Sequence, residues 1–323
     1  MTRSTVWGRA RFTAERGWGC WVVNTTNEDN DVSASETQGA DLWWAGDAFR
    51  KAHGHGNDYL VFARGESWPV SASAVRTVCD RWRGVGGDGV VIVDASQTPI
   101  RLRMFNPDGG EFEKSGNGLR VTAAWLLAAG EVGAEPFVVE VGGSAVRMQI
   151  HGRDEEGRLD VEAEMGHAAF GPEAVGLVGS DALADAAGRP LEGIAVSMGN
   201  PHFVVFGVDP DADLARLGPW ICSHRRFTRG TNVQLAQVEN GGLRIGIWER
   251  GVGRTSSSGT SACAATAAAV KSGRLPAGSH VVQMEGGTFQ VTVRDDWSVV
   301  LRGPVEEVMS GTLATALVRR CAD

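Results

Sequence analysis

Two loops in this chain carry residues that could move a proton on and off a carbon. The first reads Asn106-Pro-Asp-Gly-Gly-Glu-Phe-Glu-Lys-Ser115-Gly-Asn-Gly-Leu-Arg120 and runs into an apolar stretch, Val121 to Ala129. The second reads Trp248-Glu-Arg-Gly-Val-Gly-Arg-Thr-Ser-Ser-Ser258-Gly-Thr-Ser-Ala-Cys263 and runs into an alanine-rich stretch ending at Val270. Each puts a serine where a helix should begin. A helix N-terminus presents unpaired N–H groups and about half a unit of positive charge, so a carboxylate settles there. Gly116 and Asn117 at one mouth, and Gly259 and Thr260 at the other, would let the backbone approach a ligand closely. Two such mouths facing one cavity would cradle an anion between Ser115 and Ser258. That arrangement can take a proton from one face of a carbon and return it to the other. Taken singly, each serine is a plain helix cap. The repetition of the device points to a shared site.

Further polar groups stand at expected strand ends. Met198-Gly-Asn200-Pro-His202 sets an amide and an imidazole beside a proline-fixed turn. Asn232 opens a strand, and Glu249 adjoins Arg250. Arg250 could grip a carboxylate with two bonds, while Glu249 or His202 could move a proton. A satisfied surface histidine and an exposed ion pair are the plainer readings of the same residues. Two other patterns carry less. Gly84-Val-Gly-Gly-Asp-Gly89 has dinucleotide-binding spacing, but an arginine-rich stretch precedes it and a strand follows. It reads as a glycine turn feeding that strand. His53-Gly-His55-Gly-Asn57-Asp58 pairs two imidazoles without a clustered cysteine or carboxylate, so it reads as a turn. No metal or cofactor is expected.

Composition bounds the function. The net charge of −8 argues against a nucleic-acid surface, which needs a basic excess. No stretch approaches the roughly 18 apolar residues of a membrane span. The five cysteines lack paired spacing, which suits free thiols in a reducing cytoplasm. No apolar segment follows the early arginines, so no signal peptide is read. Residues 1–45 read as an extension: an apolar patch at Trp18, Trp21, Val22 and Val23, then a polar arm from Thr25 to Asp41.

The elements that must hold the two loops repeat in order. Short β-branched or aromatic runs cover Tyr59–Ala63, Val90–Val93, Leu102–Phe105, Phe137–Val141 and Val146–Ile150, with a helix from about Gly118 to Ala129. A second series covers Leu159–Ala163, Gly193–Met198, Phe203–Phe206, Asn232–Ala236 and Leu243–Glu249. A helix from about Ser261 to Ser272 follows, then Val281–Met284, Phe289–Val293 and Ser298–Arg302. Both helices carry small residues on many faces, which suits burial inside a curled sheet. The expected fold is α+β: two pseudo-repeated barrel-like halves, each a curled sheet around a central helix. Residues 46–158 form the first half, completed by 303–323, and 159–302 form the second.

These blocks together resemble the diaminopimelate epimerase family of pyridoxal-independent amino-acid racemases and epimerases. The blocks are Lys51-Ala-His-Gly-His-Gly-Asn57-Asp58, Gly84 to Gly89, Asn106-Pro-Asp-Gly, Ser115-Gly-Asn117-Gly, Gly199-Asn200-Pro-His202, Asn232, Glu249-Arg250-Gly-Val-Gly and Ser258-Gly-Thr260. The resemblance runs from about residue 48 to the C-terminus. It implies two barrel-like halves with the site in the cleft between them. It also implies that Asn57, Asn106, Asn200, Asn232, Glu249 and Arg250 hold an amino-acid substrate. Gly116, Asn117, Gly259 and Thr260 would bind its α-carboxylate, with His202 near the reacting carbon. The family places cysteine where Ser115 and Ser258 stand, one thiolate taking the α-proton while the other thiol gives one back. A helix dipole worth about 1 kcal/mol cannot make a serine hydroxyl a comparable base, and Cys263 lies more than a helical turn beyond Ser258.

The reading is a cofactor-independent isomerase, racemase- or epimerase-like, acting on an amino acid or related carboxylate by α-proton transfer. Ser115 and Ser258 stand at the two faces, with His202 and Glu249 as bases. A lyase on the same scaffold and a non-catalytic amino-acid-binding homologue are the alternatives. A pseudo-symmetric monomer already builds the cleft, so a homodimer is compatible but not required.

Overall fold

The computed structural model describes residues 43–323. The tryptophan patch, the polar arm and Cys20 lie outside the described residues.

The first series is β1 (Trp44–Gly54), β2 (Asn57–Arg64), β3 (Trp68–Pro69), α1 (Ala72–Cys79), β4 (Gly89–Asp94), β5 (Ile100–Phe105), β6 (Glu111–Phe112), α2 (Gly116–Ala129), β7 (Phe137–Val141) and β8 (Ser144–Arg153). The second opens with β9 (Leu159–His167), β10 (Ala169–Phe170), α3 (Pro172–Val175), β11 (Leu183–Ala184), β12 (Pro190–Ser197), β13 (Pro201–Phe206) and α4 (Leu214–Cys222). It continues through β14 (Asn232–Glu239), β15 (Gly242–Glu249), β16 (Gly253–Thr255), α5 (Gly259–Lys271), β17 (Gly278–Met284), β18 (Gly287–Val293), β19 (Ser298–Thr312) and α6 (Thr315–Ala322).

The repeat extends to the pairing itself. In the first series β1–β2 is antiparallel, β2–β4 parallel, β4–β5 and β5–β6 antiparallel, β5–β7 parallel and β7–β8 antiparallel. In the second, β12–β13 is antiparallel, β13–β14 parallel, β14–β15 and β15–β16 antiparallel, β15–β17 parallel and β17–β18 antiparallel. Two strands serve both series. β9 pairs with β8 and β19, while β19 pairs with β18, β9 and β1. The return from β10 to β12 closes the second ring. The α+β reading therefore holds, as two curled sheets of one plan.

Each ring surrounds one helix. In α5, Ala262 to Ala265 and Ala267 to Ala269 are all buried, and in α2 every residue from Gly116 to Ala124 is buried. Small side chains all round let strands approach from every side. Gly130, at φ 77°, closes α2 in the left-handed conformation that glycine adopts at least cost. The hairpin between β1 and β2 turns on His55 (φ 52°) and Gly56 (φ 87°), the paired positive dihedrals of a tight two-residue turn. The two histidines there serve separate partners. His55 Nε2 meets the Thr288 carbonyl at 2.8 Å, and His53 Nε2 lies 3.9 Å from Glu306.

The outer helices α1, α4 and α6 carry no clear signal in the sequence pattern. Helices α1 and α6 cover the outer face of the first ring, with Val75 and Val78 of α1 packed in one cluster with Phe62 and Trp68. Helix α4 covers the second, with its Leu217 and Ile221 packed in one cluster with Phe203. Among the described residues no helix is long and apolar enough to cross a membrane. Cys79, Cys222, Cys263 and Cys321 are all free thiols.

Candidate active site

The two inner helices meet at their N-termini. A Cβ built on Gly259 would lie 3.6 Å from the Cα of Gly116. The first residues of the two helices thus come so close that a methyl on Gly259 would touch the backbone of Gly116. Ser115 and Ser258 are the N-caps of these helices, both with extended backbone.

The two serines are bonded differently. Ser115 Oγ accepts from the Gly118 N–H at 3.1 Å and from the Tyr59 hydroxyl at 3.2 Å. Ser258 makes no side-chain cap bond. Its hydroxyl instead lies beside Glu249. Burial pushes the Glu249 carboxyl up, against the pull of the Ser258 and Thr255 hydroxyls. Glu249 also adds to the forces raising Tyr59, which burial pushes up to about 12. Groups from both halves therefore act on one small region.

His202 is fully buried, and burial pushes its imidazole down to about 3, so it is neutral at physiological pH. Its Nε2 meets Asn200 Oδ1 at 2.9 Å. Beside it Gln234 donates to Ser261 Oγ at 2.9 Å, in the first turn of α5. A ring that holds a proton so weakly is the poorer of the two expected bases, and Glu249 the better.

The asparagines are largely spent on architecture. Asn117 Nδ2 donates to Asn57 Oδ1 at 2.9 Å, and Asn57 Nδ2 donates to Asp88 Oδ2 at 3.1 Å. Asn232 Nδ2 donates to the Pro201 carbonyl, and its Oδ1 accepts from the Arg250 N–H, both at 3.0 Å. Asn106 is exposed in the turn closed by its own N–H to the Gly110 carbonyl at 2.9 Å. Arg250 is exposed and donates to the Arg229 carbonyl at 2.7 Å, with no ion pair to Glu249. Gly116 and Gly259 are buried at the two mouths, and Thr260 is half-buried.

Arg120 escaped the sequence reading except as the end of a motif. It is fully buried one turn into α2, its guanidinium stacked 4.4 Å from the Phe289 ring centroid. Its Nη2 donates to Asn117 Oδ1, while Nε and Nη1 have no protein partner. Nη1 lies 3.8 Å from where a Gly259 Cβ would sit. Burial lowers it to about 10, which still leaves it charged at neutral pH. A buried cation behind two helix mouths makes this region strongly attractive to an anion. Cys263 and Cys79 are buried and both pushed up to about 12 by burial, so neither supplies a thiolate.

The chain is similar to known proteins in sequence and in fold. The sequence profile described as diaminopimelate epimerase matches residues 49–171 and 194–308. The diaminopimelate epimerase of Desulforudis audaxviator (strain MP104C) is 38% identical over 274 residues, covering 81% of this chain and 98% of that protein. Diaminopimelate epimerase 2 of Nostoc sp. (strain PCC 7120) is 35% identical, covering 83% and 96%. Among solved structures, a hydroxyproline epimerase from Agrobacterium vitis with bound trans-4-hydroxy-L-proline superposes with a TM-score of 0.60 at 14% identity, covering 84% and 92%. A phenazine biosynthesis protein from Bacillus anthracis gives 0.55 at 16% identity, covering 84% and 98%. The last two show the fold alone. Repeat, abutting helix mouths and sequence similarity agree: the chain belongs to the diaminopimelate epimerase family.

Proposed function

We propose that the chain is a cofactor-independent amino-acid isomerase whose two serines work opposite faces of the α-carbon. The observation that carries this is the close approach of Gly116 and Gly259, the first residues of the two inner helices, where a methyl on Gly259 would touch the Gly116 Cα. The substrate α-carboxylate sits on the N–H groups of both mouths, with the buried Arg120 charge behind them. Those donors also stabilise the negative charge that spreads onto the carboxylate as the α-proton leaves.

Ser258 takes the proton from one face and passes its own to Glu249, whose raised carboxyl is suited to receive it. Ser115 delivers a proton to the other face. The roles exchange for the opposite stereoisomer. Diaminopimelate is the first substrate to test, because the relatives described above carry that name.

The test is incubation with diaminopimelate stereoisomers, then with other amino acids, in D₂O. Deuterium at the α-carbon with inversion supports the isomerase. An unsaturated or keto product would move the assignment to a lyase. Saturable binding with no exchange would make the chain a non-catalytic amino-acid binder.

A further inference from the structure

The strand registers equate residues across the two halves. Leu60 lies opposite Val90, and Val90 opposite Phe105. Phe203 lies opposite Val233, and Val233 opposite Trp248. Tyr59 occupies in the first ring the place that His202 occupies in the second: each stands one residue before these rows, and His202 precedes Ser258 by the same 56 residues that separate Tyr59 from Ser115. The repeat puts a polar ring at both positions, but only Tyr59 bonds directly to the serine of its own helix mouth.

Tyr59 is held there by its surroundings. It is 5% exposed, and its opposite residue is Gly89. A Cβ on Gly89 would lie 2.5 Å from Tyr59 Cε1, so the ring uses space that only glycine leaves. A hydroxyl oxygen has two acceptor positions. At Ser115 the Gly118 N–H fills one and the Tyr59 hydroxyl fills the other. The Ser115 proton is then left to point away from both donors.

We propose that Tyr59 is a positioning residue that backs Ser115 as Glu249 backs Ser258, passing its phenolic proton to Ser115 Oγ as Ser115 gives its own to the carbon. This rests on the proton-transfer reading above. In the step, the Ser115 O–H bond breaks as the new C–H bond forms. The Tyr59 O–H bond breaks as the Ser115 O–H bond is restored. The negative charge passes from the carbanion to the phenolate oxygen, and between turnovers solvent returns a proton to Tyr59 and takes one from Glu249. The complementary form, with phenolate at Tyr59 and a protonated Glu249, serves the opposite stereoisomer. Tyr59 is raised only to about 12, within reach of a transient phenolate.

A thiol placed at the serine position reads the contact without any substrate. The full chain carrying Ser115→Cys is titrated by ultraviolet thiolate absorbance, with the unaltered chain subtracted, and compared with Ser115→Cys/Tyr59→Phe. Tyr59→Phe keeps the ring, and equal melting temperatures check the fold. A hydrogen bond to a charged acceptor predicts about tenfold less thiolate at neutral pH once the phenol is gone. Coincident titration curves would overturn the assignment, because a phenol with a purely packing role does not alter ionisation at residue 115. Tyr59→Phe in the serine background should also slow α-deuterium incorporation about tenfold, and an unchanged rate would overturn it equally. Absence of exchange in the unaltered chain is a different result, and it strikes the proton-transfer reading itself.

Discussion

Gly116 and Gly259 share one neighbour. The same Leu301 Cδ2 would lie 2.8 Å from a Cβ on the first and 2.7 Å from a Cβ on the second. One buried leucine on β19 thus wedges under both helix mouths, and the spacing of the site depends on neither glycine gaining a methyl. Gly259→Ala should cost about 1–3 kcal/mol by overpacking. A thermal melt reads the loss, and an unchanged melting temperature would show that Leu301 yields freely.

Glu249→Gln should separate stability from activity. The folded Glu249 carboxyl keeps its proton to higher pH than the ordinary 4.5 of the unfolded chain. As pH rises past that value the unfolded state ionises first, so deprotonation favours unfolding. The stability is present below the unfolded value and is lost as pH climbs through the folded one. Replacing the acid removes this loss, so the melting temperature at neutral pH should rise, with no gain at pH below 4.5. Exchange of the α-proton should fall by about a hundredfold or more. A variant of normal activity would remove Glu249 from the proton path.

Asp58 offers the opposite sign. Burial works to raise it, but Arg81 at 2.8 Å and Lys51 at 2.9 Å overcome that and hold it at about 2. Stability from this cluster is present above the ordinary 3.8 and is lost as pH falls through about 2. Asp58→Asn should cost about 2 kcal/mol at neutral pH, discounted because Arg81 is half exposed. Denaturant melts at neutral pH and near pH 2 should show the deficit in the first and little of it in the second.

Arg120→Met addresses the buried cation. The exchange removes two buried N–H groups without partners but also the donor to Asn117 Oδ1, so the change in stability should stay within about 1–3 kcal/mol. Carboxylate affinity should nevertheless weaken about tenfold, from loss of a cation behind the helix mouths. Calorimetric titration with diaminopimelate measures this. Equal affinity would confine Arg120 to holding Asn117.

The sequence made the inner framework legible because its signals are local. Small residues round two helices, alternating β-branched runs and paired serine caps are read within a dozen positions. Strand β1 was hidden because Phe49-Arg-Lys-Ala-His53 mixes charge with one buried side chain in three. The outer helices were hidden because each is short and gains its stability from packing on a sheet. The site was legible in position and not in bonding. Asn57 and Asn117 look like free amides in the sequence, and 60 residues of separation conceal that they bond to each other. Arg120 and Tyr59 belong to the helix and strand patterns of their neighbours, and only the register brings them to the mouths.

The antiparallel partnership of β9 with β19 has a consequence for dissection of the molecule. Both strands are shared by the two rings and both lie after β8, so a cut in the connection after β8 strips the first ring of its β8–β9 and β1–β19 pairings and leaves raw strand edges. Such edges recruit other chains. The first fragment loses both β9 and β19, so its β1 and β8 edges can be covered only by pairing with other chains, and size-exclusion of that fragment should find pairs or aggregates in place of monomers.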